Sequence, residues 1–225
     1  MRKLLFAVVC LMVTGSAAYA QKSPRSEFFV GYSNLQAEGV PDRDNPGDVF
    51  ADDFFERRKG LHGVTVSGAG FFNSVFGIKG EFSVNRSDDS AAVVGGTNTR
   101  RNRVFYFMGG PTLKFHNSSR IEPFVHGLVG AAHTRFEAET VRDFGAGTVS
   151  TSFNTSSTDF AAAFGGGFDV RVGERMSIRL IQIDYAPVFL RDRSVNVLGG
   201  AGAIVPFTLE GQRQDNIKFS IGIVF

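Results

Sequence analysis

An all-β fold, an eight-stranded antiparallel up-and-down transmembrane β-barrel, is predicted by three features of this chain. Segments of apolar and small or polar residues alternate along its length, its connections take turns between long and short, and its last nine residues form a strand with one apolar face. In that last segment Ile217, Phe219, Ile221, Ile223 and Phe225 share one face, while Lys218, Ser220, Gly222 and Val224 share the other. Gly is 27 and Phe 24, yet no segment after the N-terminal run approaches 18 uninterrupted apolar residues. The membrane-crossing signal is therefore of period two rather than helical.

Arg2 and Lys3 precede an apolar run from Leu4 to Val13, and small residues follow to Ala18, Tyr19 and Ala20. This is the n-region, h-region and A-x-A site of a secretory signal. The run is shorter than the roughly 20 residues of a helical span, so residues 1–20 are expected to be cleaved and residues 21–225 to form one barrel domain. Cys10 lies inside the apolar run after Val8 and Val9, which disfavours a lipoprotein. Without Arg2 and Lys3, the 24 basic residues fall to 22 against 22 acidic ones. A formally neutral chain argues against nucleic-acid binding, and losing the single Cys removes disulfides and Cys-based metal sites. No cofactor is expected.

Eight strands follow in order. The first, 26–35, carries Phe28, Val30 and Tyr32 on one face, and the second, 61–70, carries Val64 and Val66. The third, 75–85, sets Phe76, Ile78, Phe82 and Val84 against Gly77, Lys79, Glu81 and Ser83. In the fourth, 101–113, Phe105, Phe107 and Leu113 point outward against Tyr106, Met108 and Thr112. The fifth, 121–133, is apolar on both parities, with Phe124, His126 and Leu128 opposite Val125, Val129 and Ala131, so its faces stay open.

The sixth, 158–171, places Phe160, Ala162, Phe164, Phe168 and Val170 opposite Asp159, Ala161, Ala163, Gly165, Gly167, Asp169 and Arg171. The seventh, 175–189, mixes parities around Arg179, Gln182 and Asp184, and a bulge near its middle reconciles them. The eighth, 213–225, ends the chain.

Between these strands the connections run 25, 4, 15, 7, 24, 3 and 23 residues. Short turns on one side and long loops on the other, with alternation of apolar-out and polar-in, describe a transmembrane barrel of even strand number. A soluble sandwich would alternate too, but nothing would place all its long connections on one side. Strands in lipid cannot leave backbone groups unpaired, so the first and eighth must meet.

An eight-stranded barrel has an interior filled by side chains. Lys79, Glu81, Lys114, Asp169, Arg171, Asp184 and Lys218, with Arg179 if the bulge turns it inward, are expected to form a mutually neutralising lumen network. A gated ion path is the competing reading.

The hairpin spacing, the stretch Gly165 to Arg171 with its short turn to the segment Met176 to Tyr185, and the Phe-terminated last strand resemble the small outer-membrane barrels of the OmpA and OmpX type. The resemblance spans the chain after the signal. It implies an integral outer-membrane barrel whose terminal strand and Phe225 are read by the barrel insertion machinery. Because this sequence stops at Phe225, no periplasmic peptidoglycan-binding domain of the OmpA kind is expected. Trp is absent, so aromatic belts are expected from Tyr32, Tyr106, Tyr185 and Phe.

Arg57, Arg58, Lys59, Arg100, Arg101, Arg103, Arg191, Arg193 and Arg213 all fall at the long-loop end. They suit the phosphates of a lipopolysaccharide-type glycolipid, or they mark the membrane boundary as charges at strand ends. The acidic first loop, with Asp42, Asp44, Asp48, Asp52, Asp53 and Glu56, departs from a calcium-loop pattern and reads as a solvated surface. The Ser/Thr-rich stretch 148–158 reads as a mobile external tip.

A lipid A-modifying enzyme needs a Ser with a His partner at the external face. His116 and Ser118 fall at the opposite end, and neither His62 nor His133 has a Ser and carboxylate in its own element. The expectation is a monomeric, non-enzymatic outer-membrane barrel with a structural or surface-interaction role. A narrow channel for ions or small solutes is the alternative, and a lipid A-modifying enzyme the second.

Overall fold

Every backbone amide that crosses lipid has to find its partner on a neighbouring strand, and the hydrogen-bond registers close that requirement into a ring. The structure, a computed structural model, describes residues 26–38, 58–93, 96–115, 120–143, 148–173, 175–191, 193–198, 204–209 and 213–225. Its strands are β1 (Ser26–Glu38), β2 (Arg58–Phe71), β3 (Phe76–Val93), β4 (Gly96–Lys114), β5 (Ile121–Asp143), β6 (Thr148–Arg171), β7 (Ser177–Tyr185), β8 (Val188–Phe189), β9 (Arg193–Leu198), β10 (Ile204–Leu209), β11 (Arg213–Gln214) and β12 (Ile217–Val224).

Neighbours from β1 to β7 pair antiparallel in sequence order, β7 pairs with β12, and β12 pairs with β1, which gives an eight-membered ring. The seam is in register from Phe29 opposite Val224 to Gln36 opposite Ile217. Phe28 and Phe225 then exchange two backbone bonds of 3.0 and 2.8 Å.

The outward faces follow the alternation. Phe28, Val30, Tyr32, Val64, Ile78, Phe107, Phe164, Ile221 and Ile223 are exposed, whereas Phe29, Ser33, Thr65, Glu81, Lys218 and Ser220 are buried. The two faces of β5 separate cleanly: Phe124, His126 and Leu128 point into the lumen, and Val125 and Val129 point out. Ala162 keeps the outward parity of β6 yet is only 5 % exposed.

In β7 the bulge is present. Its register against β6 and β12 skips around Leu180 and Ile181, both of which are exposed, so Arg179, Gln182 and Asp184 all point inward. The long segments 175–189 and 213–225 are each interrupted, at Ala186–Pro187 and at Asp215–Asn216. Proline has no amide to continue a ladder.

The described parts of two of the long connections are strand rather than loop. Residues 86–93 and 96–100 continue β3 and β4, which run 18 and 19 residues, and residues 134–143 and 148–157 continue β5 and β6, at 23 and 24 residues. The Ser/Thr-rich stretch 148–158 accordingly belongs to β6 instead of forming a tip. A crossing takes about 9–11 residues, so the end of β6 before Phe160 carries roughly 40 Å of strand beyond the apolar band. Within the connection 190–212, β9 and β10 form a further hairpin, with Ile204 opposite Leu198. The acidic residues of the first loop, Arg57, and His116 with Ser118 lie outside the described residues.

Candidate functional site

The lumen divides into a charged half at the short-turn end and an apolar half at the extended end. In the charged half, inward positions of five strands bring Lys79, Glu81, Lys114, Asp169, Asp184 and Lys218 together. Lys79 Nζ lies 2.7 Å from Glu81 Oε2, and Lys218 Nζ is bonded to Glu81 Oε1 and lies 3.3 Å from Asp184 Oδ2. Lys114 Nζ meets Asp169 Oδ2 at 2.8 Å, Glu27 Oε1 at 2.7 Å and Glu122 Oε2 at 3.4 Å.

Arg179 forks onto Asp169 with bonds of 2.8 and 3.0 Å, and its planar head sits between the rings of Phe29 and Phe124, 4.4 and 4.0 Å from their centroids. Such a bidentate, stacked guanidinium is geometry that lysine does not offer. Arg171 lies at the short-turn mouth, where its guanidinium donates to Glu122 and its side chain is 36 % exposed.

The cations Lys79, Lys114, Arg171, Arg179 and Lys218 therefore face the anions Glu27, Glu81, Glu122, Asp169 and Asp184, and their formal charges cancel. Gln182 links the two clusters. Its amide donates to Asp184 Oδ2 at 2.7 Å and to Glu81 Oε2 at 3.3 Å, while its Oε1 accepts from Arg179 at 2.7 Å. Between Phe29, Lys79, Lys114 and Arg179 a cavity of about 20 Å³ remains, room for a single water. Gly165 faces Asp184 without a side chain; a β-carbon there would overlap the Asp184 carboxylate and the Ile183 carbonyl.

Glu27, Glu122 and Gln182 were not expected from sequence, although Glu27 and Glu122 share the inward parity of Phe29 and Phe124. His126 was left open with strand five. Its Nε2 is 2.9 Å from Asp184 Oδ1, an ion-pair distance without hydrogen-bond alignment. Glu81, His126 and Asp184 have ligand atoms within 4.8 Å of one another. Lys79 and Lys218 already occupy those carboxylates, which leaves a divalent cation no net negative charge to neutralise.

The apolar half differs from the polar-in expectation. Leu35, Leu61, Val104, Tyr106, Met108, Leu128, Ala132, Ala161, Ala163, Ala186 and Val188 form one buried cluster there. Tyr106, expected in an aromatic belt, is instead fully buried in the lumen, where its hydroxyl accepts from Asn216 at 2.9 Å. Tyr32 and Tyr185 are exposed on the outer wall.

The basic residues at the extended end do not gather into one site. Arg58 donates to the carbonyls of Gln36 and Asp215, Lys59 pairs with Asp89, and Arg213 with Asp215 at 2.8 Å. Arg100 and Arg101 stand in β4 opposite Asp89 and Asp88, with Arg103 below them. Arg191 is exposed, and Arg193 opens β9. On the outer wall His133 Nδ1 lies 2.8 Å from Thr158 Oγ1, and His62 meets the hydroxyl of Tyr32. Among the described residues no carboxylate is paired with either ring.

Several solved structures align with this chain at low identity. Ail of Yersinia pestis, in complex with the heparin analogue sucrose octasulfate, aligns with a TM-score of 0.45 and 15 % identity over 90 % of this chain and 99 % of its own. OprG of Pseudomonas aeruginosa gives 0.44 and 12 %, over 91 % and 96 %. Neisserial surface protein A gives 0.42 and 8 %, over 88 % and 95 %. No curated protein matches the sequence. The family model described as the outer membrane protein beta-barrel domain matches residues 6–212; with the ring closure and the exposed apolar wall, the chain belongs to that family of integral outer-membrane barrels.

Proposed function

We propose that the protein is a sealed, non-enzymatic and monomeric outer-membrane barrel with a structural or surface-interaction role, whose extended strands stand outside the cell. The observation that carries this reading is the filled lumen: a charge-balanced network in one half and an apolar cluster in the other, with the cavity between Phe29, Lys79, Lys114 and Arg179 large enough for about one water. A wall of this kind supports what its strands project. The sheet formed by the outer parts of β3 to β6 offers polar faces on both sides, suited to contact with other surfaces in water.

Residues 1–20 act as the cleaved export signal in this reading. The short turns then face the periplasm, and Phe225 at that rim is the insertion signal read by the barrel assembly machinery.

Planar-bilayer recordings test the seal. The purified barrel gives no steady conductance; steady channels that vanish on replacing Lys79 or Asp169 would establish a narrow channel instead. Intact acyl chains on lipid A after co-expression are expected, and their loss would establish the enzyme reading.

A further inference from the structure

Cross-strand registers order the outer wall of β3, β4 and β5 into rungs. At one level Phe82 stands opposite Phe107, and one step outward Val84, Phe105 and His133 stand side by side. The next rung is Arg86, Arg103 and Arg135, directly opposite one another on three adjacent strands. Beyond it stand Asp88, Arg101 and Glu137.

The arginine rung lies where the apolar band ends. Like charges placed directly opposite each other across a sheet repel, and nothing in the lumen chemistry requires them here. Asp88 and Glu137 draw Arg86 and Arg135 outward along their own strands, at 2.6 and 2.7 Å. Arg103, the middle member, has Arg101 two positions along its strand and makes no ion pair among the described residues.

Directly beneath, Arg103, Phe105, Phe107, His133 and Arg135 line a shallow groove open to the wall. Phe107 is exposed within it, and the Phe105 and His133 rings lie 6.1 Å apart. The groove is thus basic at its head and aromatic along its body.

We propose that this groove is a binding site for one phosphorylated glycolipid of the outer leaflet, with its phosphates on Arg86, Arg103 and Arg135 and an acyl chain along Phe105 and Phe107. Neighbouring strands lie about 4.8 Å apart, so the three arginines span roughly 10 Å, enough to engage two phosphates of one head group. Guanidinium forks match phosphate oxygens, and a phosphate between them turns the repulsive rung into a favourable one. Arg86 and Arg135 were not among the rim residues expected from sequence; only Arg103 was. The site rests on the orientation proposed above, which puts the extended strands in contact with the outer leaflet.

Native mass spectrometry of the purified, folded barrel with bis-phosphorylated lipid A tests it. The wild type retains the lipid, and 1 M NaCl releases it. The Arg103→Gln/Arg135→Gln variant binds about 30-fold more weakly, near fivefold per arginine, while Arg120→Gln/Arg175→Gln at the opposite mouth, with the same charge change, binds as the wild type does. Equal loss in both variants, equal retention of dephosphorylated lipid A, salt-insensitive binding, or equal affinity for phosphatidylglycerol each overturns the glycolipid site. Maleimide labelling of Ser156→Cys on intact cells reads the orientation separately, so failure there is told apart from failure of the groove.

Discussion

The two halves of the lumen are filled by opposite means. At the short-turn end, buried charges are held in place by ion pairs and hydrogen bonds that link Lys79, Glu81, Lys114, Asp169, Asp184 and Lys218; at the extended end, Leu35, Leu61 and Leu128 fill space by shape alone. A charged half tolerates the loss of one member poorly, since what remains is an uncompensated ion in a site closed to water. An apolar half degrades in proportion to the volume removed. The difference predicts which substitutions unfold the barrel and which only loosen it.

The largest effect is expected from Glu81→Leu, which strips both Lys79 and Lys218 of their nearest carboxylate. It should destabilise the barrel by about 4 kcal/mol, read by urea unfolding in detergent. A cost equal to that of an exposed-residue control would break the distinction between the halves.

Next comes Leu128→Ala in the apolar half, at about 3 kcal/mol for a buried leucine with little room to collapse. The same titration should show it unfolding in one step with an unchanged slope. The double replacement Glu81→Leu/Lys218→Met removes one charge of each sign, and its cost should fall to about 2 kcal/mol, less than that of Glu81→Leu alone. A double variant as damaged as the sum of its singles would show that neutrality is not what holds the network.

The smallest effect lies outside the membrane, where the hydrogen bond from Arg86 holds the Asp88 carboxyl below its ordinary value of 3.8. A group lowered in the folded state stabilises above its unfolded value, and that contribution disappears as pH falls through the lowered one. NMR titration of Asp88 should give a midpoint under 3.8, and Arg86→Gln should return it upward.

What the sequence disclosed depended on whether a strand has unlike faces. Where lipid lies on one side and a polar stretch of lumen on the other, alternation is legible, as in Ile217 to Phe225, and the faces there match the structure. On β5 both parities are apolar because its lumen face enters the apolar half at Leu128, so periodicity could not choose. Arg179 was legible only through the need for a bulge.

Beyond the membrane, β5 and β6 have water on both sides and polar residues on both faces, which removes the signal that marks a strand. The Ser/Thr stretch 148–158 consequently reads as loop, although its backbone continues the ladder from Thr148 to Asp159 opposite Asp143 to Ala132. Within the network, the lysines and aspartates were visible as lone polar residues in apolar company. Their pairing was not, since Lys218 and Glu81 meet only after the ring closes.

That closure joins positions roughly 200 residues apart in sequence. Before β12 docks, the forming barrel is an open sheet with two bare edges, each able to pair with another copy. The seam therefore sets a timetable: the native ladder cannot be completed until β12 has been made and delivered. Until then, solubility depends on whatever shields β1 and the growing edge, and aggregation is the kinetic competitor of closure.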